Sequence, residues 1–147
     1  MKSRLGVAVL AIFMLCLASS AAAQTSGGYL GEYSANRYDP DSTSNPYGRY
    51  GSRFSQDSIN NPFSQHFNRF NPDPPRLYGH DGTYIGRLGG NRFHPDSTAN
   101  PYGRYGSRFS PDSVNNPYGR FGSRFSPYSA TNPYATQPPR IYATDPY

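Results

Sequence analysis

Arg37-Tyr38-Asp39-Pro40-Asp41-Ser42-Thr43-Ser44-Asn45-Pro46-Tyr47-Gly48-Arg49-Tyr50-Gly51-Ser52 is the stretch on which the fold turns. Pro40 fixes φ, and the Asp41 or Ser42 side chain can accept a backbone N–H two or three residues on, giving an Asx or ST turn or one capped helical turn. Pro46 keeps Asn45 out of a helix. Asn45-Pro46-Tyr47-Gly48 then has Asn first, Pro second and Gly fourth, the preference of a type I turn. One unit therefore reads as two linked turns. Tyr47, Tyr50 and Phe54 have helical spacing, but Gly48 and Gly51 between them argue against a helix.

The unit recurs. It restarts at Arg53-Phe54 and Arg69-Phe70, then at Arg92-Phe93, Arg108-Phe109 and Arg124-Phe125, each time 16 residues on within its triplet. The units from 37, 92 and 108 keep Asp-Ser-x-x-Asn-Pro-Tyr-Gly-Arg, and the third unit of each triplet decays into Pro74-Pro75-Arg76 or Pro138-Pro139-Arg140. Terminal repeats of an array are expected to be atypical because they cap it. The chain divides into a first half, 24–91, and a second, 92–147.

Between the triplets, Arg76 to Leu88 places Asp81-Gly82 between two short apolar and aromatic runs, the signature of a β-hairpin over about 76–88. The termini carry its two strands separately. Pro138-Pro139-Arg140-Ile141-Tyr142 repeats the first and Tyr29-Leu30-Gly31 the second. Unpaired strands expose open N–H and C=O groups, so residues 29–31 are expected to pair with 140–142 within one molecule, closing two similar halves about a pseudo-twofold axis. The rival arrangement is head-to-tail pairing between molecules.

Ahead of all this, Lys2 and Arg4 precede an apolar run from Leu5 to Ala18 and the small residues 19–23. This is the order of a secretory signal, 1–23, cleaved between Ala23 and Gln24. The run is shorter than a bilayer span, so no transmembrane segment is expected after cleavage. The mature chain is expected to be periplasmic or secreted. Cys16, the only cysteine, leaves with the signal, so no disulfide can form.

Cleavage takes Lys2 and Arg4 from the 14 basic residues, leaving 12 arginines against nine acids, a net charge of +3. That is too small for a dedicated nucleic-acid protein. The use of arginine alone favours stacking on rings and two-point pairing with carboxylates or phosphates. Larger aliphatics past the signal are confined to Leu30, Ile59, Leu77, Ile85, Leu88, Val114 and Ile141, so the aromatics are expected to supply most of any core.

Catalytic and metal chemistry find little support. Asp39 and Asp41 suggest a calcium loop, but Ser55, His94 and Ser110 replace Asp39 in other units. His66, His80 and His94 fall at unmatched positions without ligand spacing, and read as surface histidines. No nucleophile elbow or phosphate loop occurs. No cofactor or metal is implied, and an enzyme is not expected. The recurrent Gly-Arg-Tyr/Phe-Gly-Ser-Arg-Phe stretches make Arg49, Tyr50, Arg104, Tyr105, Arg120 and Phe121 the candidate ligand-binding residues, suited to stacking on sugars or bases. The favoured alternative has these arginines stacked on their own rings and paired with Asp41, Asp96 and Asp112.

The Tyr-x-Pro-Asp-Ser-x-x-Asn-Pro-Tyr-Gly pattern, with Tyr29-Leu30-Gly31 ahead of it, resembles a family of short, exported, uncharacterised proteobacterial proteins over nearly all the mature chain. The resemblance implies export and repeat architecture and carries no activity. The chain departs from it with arginine at 37, 53, 92 and 108, where proline is the family's residue.

The expected fold is mostly irregular, turn-rich 16-residue repeats with few short β-strands, helix only in the signal peptide, and room for partial disorder. The expected role is structural or interactive in the bacterial envelope. Alternatives are a polyanion- or glycan-binding module, with envelope polysaccharide as partner, and a tyrosine-rich matrix component that self-associates. Protein recovered from a bacterial export host should begin at Gln24; an intact mass retaining Lys2 and Arg4 would refute the signal.

Overall fold

The computed structural model describes residues 28–68 and 70–144. The fold is mostly irregular and poor in strand, with one small antiparallel sheet, and no helix occurs among the described residues. The expected signal segment and its helix lie outside them.

The turns are more numerous than the prolines suggest. Ser42, Asn45, Gly48 and Gly51 donate their N–H groups to the carbonyls of Asp39, Ser42, Asn45 and Gly48 at 3.1–3.3 Å. Each turn closes on the residue that opens the next, so the chain advances in steps of three. The same ladder is made by the N–H groups of Ser97, Asn100, Gly103 and Gly106, and by those of Ser113, Asn116, Gly119 and Gly122. The expectation of two linked turns per unit is thus corrected to four, because serine and glycine anchor turns as well as the residues beside proline.

Side chains at the anchors complete the ladder. The Asn45 carbonyl oxygen accepts the Tyr47 N–H at 3.0 Å while its amide donates to the Asp39 carbonyl at 3.0 Å. Asn61, Asn100, Asn116 and Asn132 repeat this double bond. Ser42, Ser58, Ser97, Ser113 and Ser129, fully buried, each accept the N–H two residues on. Burying a hydroxyl or amide is tolerable only when it is bonded, and here it is. Neighbouring coils are tied by Asn60, whose amide reaches the carbonyls of Thr43 and Gly51, and by Asn115, which reaches those of Thr98 and Gly106. A Cβ at Gly106 would run into the Asn100 carbonyl, so this approach requires glycine.

The four strands are β1 (Tyr29–Glu32), β2 (Arg76–Tyr78), β3 (Tyr84–Arg87) and β4 (Arg140–Tyr142), in sheet order β1-β4-β2-β3. The expected hairpin is β2 with β3, turning at Asp81-Gly82, where Gly82 takes φ 85°. The expected closure is also present: Tyr29 pairs with Tyr142 and Glu32 with Arg140 in one molecule. A further pairing seals the two, since β2 and β4 lie antiparallel with Leu77 opposite Ile141. The pseudo-twofold relation passes through that pair. Pro75 and Pro139, fully buried, deliver the decayed units into β2 and β4.

Strand alternation gives the sheet two unlike faces. Leu30, Leu77, Ile85 and Ile141 are at most 3% exposed and meet Val114 and Phe121 in the core. On the other face, six tyrosines form a continuous row, Tyr50-Tyr29-Tyr142-Tyr78-Tyr84-Tyr105, with neighbouring ring centroids 5.2–5.9 Å apart. Gly31 and Gly86, at φ 93° and 114°, make room for the end rings, because a Cβ there would lie 2.6 Å from Tyr50 and 2.7 Å from Tyr105. The expectation that aromatics supply most of the core is corrected: eleven of them are 82–96% exposed, and aliphatics from the sheet form its centre.

Asn116→Asp keeps the acceptor for Tyr118, loses the donor to Ser110 and places charge at a site 8% exposed. Chemical denaturation should show a loss of about 1–3 kcal/mol, whereas Tyr118→Ala, at an exposed ring, should change stability by less than about 0.5 kcal/mol.

Candidate functional site

The six candidate residues separate by side. Arg49, Arg104 and Arg120 are exposed; Tyr50 and Phe121 are buried, and Tyr105 is half-buried at the end of the tyrosine row. Each arginine lies over its neighbour's ring, with 5.6 Å from Arg49 to Tyr50, 5.5 Å from Arg104 to Tyr105 and 5.3 Å from Arg120 to Phe121. Arg49 pairs with Asp57 and Arg104 with Asp112, both at 2.7 Å, and Arg120 lies 3.5 Å from Asp81. Of the expected partners only Asp112 is used. Asp57 stands eight residues after Arg49, as Asp112 does after Arg104, and so lies in the following coil rather than in the arginine's own turn.

A different set of residues faces outward. Tyr38, Tyr47, Phe54, Phe63 and Phe70 in one half, and Phe93, Tyr102, Phe109, Tyr118, Phe125 and Tyr134 in the other, stand clear of the body. Their numbers advance alternately by nine and seven. Every one has its backbone N–H held by the Asn or Ser side chain two residues earlier, at 3.0 Å for Asn and 3.2 Å for Ser. The rings are therefore presented by an ordered backbone. The sequence signal was the recurring Asn/Ser-Arg/Pro-Tyr/Phe triplet.

Five of these rings follow directly on an exposed arginine: Arg37, Arg53, Arg92, Arg108 and Arg124. None of the five makes an ion pair among the described residues. Two of the five pairs lie in open clefts. Arg108 and Phe109 share one of about 480 Å³ with Pro117 and Tyr118, and Arg53 and Phe54 share one of about 460 Å³ with Pro46 and Asn60. Such a cleft offers a flat apolar face beside an uncompensated guanidinium.

The histidines are not simply surface groups. His80 sits between Arg140, 3.3 Å from its Nδ1, and Glu32, 3.6 Å from its Nε2. Burial and the Arg140 charge hold His80 below the usual imidazole range, and burial raises the Glu32 carboxyl. His94 accepts the Asp96 N–H, and His66 lines a cavity with it. No cluster of three metal-ligating side chains occurs among the described residues, and no helix among them is long and apolar enough to cross a membrane. No known protein family, curated protein or solved structure matches the chain.

Burial raises Tyr29, Tyr33, Tyr50 and Tyr84 above the ordinary phenol value. In the unfolded chain these groups ionise near pH 10. The folded state holds them neutral longer, so their contribution to stability is complete below about pH 10 and is lost as pH rises through the window above it. Phenolate absorbance followed beside near-UV circular dichroism should show a steep late ionisation step coinciding with loss of the dichroism. A gradual titration with the dichroism intact would contradict the packed row.

Proposed function

We propose that the chain is an exported, non-catalytic repeat protein of the bacterial envelope, periplasmic or secreted, that holds an anionic polysaccharide or comparable polyanion on its outward rings and arginines. The carrying observation is the fivefold pairing of an ion-pair-free arginine with the exposed ring that follows it. A sugar presents a flat apolar face to a ring, and a guanidinium binds a carboxylate at two points. The binding arginines in this reading are 37, 53, 92, 108 and 124; Arg49, Arg104 and Arg120 hold coils together. The signal-like start and the resemblance to exported proteobacterial repeat proteins support the location.

Self-association is the second reading, favoured by the number of apolar rings in water, since a monomer rarely exposes a large apolar area. The test is retention of the mature chain on immobilised polyuronate against a neutral polysaccharide, with sedimentation at rising concentration beside it. Salt-sensitive retention should weaken about ten-fold or more in R53K/R92K/R108K/R124K, which keeps charge but loses two-point pairing. Tyr47→Ala, Tyr102→Ala and Phe109→Ala together should weaken it comparably without lowering the melting temperature. Equal retention by the lysine variant reduces the reading to nonspecific charge, and assembly without retention supports the second reading.

A further inference from the structure

The halves are not equally long, and the difference leaves a hole. Leu88 donates its N–H to the Pro75 carbonyl at 2.9 Å and Tyr33 donates to Pro139 at 2.8 Å, which fixes the correspondence between halves. By the same relation Asn71 answers to Ser126. From there the first half reaches β2 at Arg76, whereas the second passes through Tyr128, Ser129 and Ala130 before β4 at Arg140. Ser129 is fully buried, and Tyr128 and Ala130 pack against the core. The first half has nothing in their place. Beside its end lies Leu88-Gly89-Gly90, whereas the counterpart Tyr33-Ser34-Ala35 lies beside the end of the second half, and a cavity of about 420 Å³ opens next to Leu88.

The Asn71 amide and the Ser97 hydroxyl of the lining are spent on the His66 and Gly89 carbonyls, and the side-chain groups left over are donors. The Arg87 Nε is buried without a hydrogen-bond partner. His94 Nδ1 accepts the Asp96 N–H at 3.0 Å, leaving Nε2 as that ring's donor. Asn68 and Asn91 spend their carbonyl oxygens on the Phe70 and Phe93 N–H groups, which leaves their amide N–H groups. No Asp or Glu lines the cavity among the described residues, and Phe67, Pro74 and Leu88 form its apolar wall. A buried guanidinium nitrogen without a partner is costly unless something accepts its hydrogen bond.

We infer that this cavity is a binding site for a small organic oxyanion, a carboxylate or phosphate carried on a body of about sugar size, with Arg87 as its principal contact. The site borders the polymer-binding surface at Phe70, but its principal contact, Arg87, is not one of that surface's arginines, so it does not depend on that reading. The volume falls in the range of small-molecule pockets.

The test uses the whole mature chain and follows the His66 and His94 ring signals by NMR as glucuronate, inorganic phosphate or glucose is added. Glucuronate or phosphate should shift them saturably; whichever saturates first identifies the oxyanion. Arg87→Gln should weaken that binding about ten-fold or more, the loss expected for one charged hydrogen bond. Gly90 lines the cavity, and a Cβ there would meet nothing within 4 Å, so Gly90→Leu fills space while keeping Arg87. That variant should retain near-UV dichroism and lose binding, which covers the case in which Arg87→Gln disturbs the fold. R53K/R92K/R108K/R124K should bind as the parent does. No saturable shift with either anion, equal binding of glucose, or undiminished binding by a folded Arg87→Gln chain would overturn the inference.

Discussion

The structure depends on a bond from a short polar side chain back to its own backbone two residues on. Asn, Ser, Asp or His occupies this position again and again, from Asn36 accepting Tyr38 to Asn132 accepting Tyr134. Such bonds ordinarily compete with helix and sheet. Here they recur in runs of three-residue steps, as at Asn36, Asp39, Ser42 and Asn45, each run followed by a step of seven, and become the regular structure. Each is worth only about 1 kcal/mol net, but its loss leaves a buried amide or hydroxyl unpaired, which is worse than never having had it.

This arrangement inverts the usual distribution of side chains. Serine and asparagine fill the coil interior because they are small enough for the turns to close around them and polar enough to saturate the inward carbonyls. Tyrosine and phenylalanine are put outside by the same geometry, at the second position after an anchor. An apolar centre is still required, and the sheet supplies it where four strands from distant parts of the chain meet. Their aliphatic face holds the core, while the tyrosine row covers the opposite face and reaches both arrays of turns through Tyr50 and Tyr105.

Much of the scaffold was legible because it is local. Asn45-Pro46-Tyr47-Gly48 announces its turn and Asp81-Gly82 its hairpin, and the half-hairpins at residues 29–31 and 140–142 pointed to each other by likeness. The β2 to β4 pairing was not legible, since nothing in Arg76-Leu77-Tyr78 specifies Arg140-Ile141-Tyr142 as an edge partner. Side-chain direction was the larger omission. The rule that aromatics go inside suits a chain whose backbone saturates itself, and this backbone needs serine and asparagine in the interior first. The arginine partners Asp57 and Asp81 were hidden because both lie beyond the turn that carries the arginine.

Because anchors return by a fixed series of steps, three of three residues and then one of seven, the chain has a reading frame in amino acids. Loss of one or two residues within an array would shift every later anchor by one place, turning rings inward and asparagines out. Loss of three within a run of three-residue steps removes a turn and leaves the rest of that run in phase. The two halves differ by nine residues between their matching anchors and the strands they enter, a whole number of turns, and both still arrive in register beside each other at Leu77 and Ile141. Proteins built this way should vary in length by whole 16-residue units or, inside a run of three-residue steps, by triplets, and each step would add or subtract part of the outer face without touching the sheet.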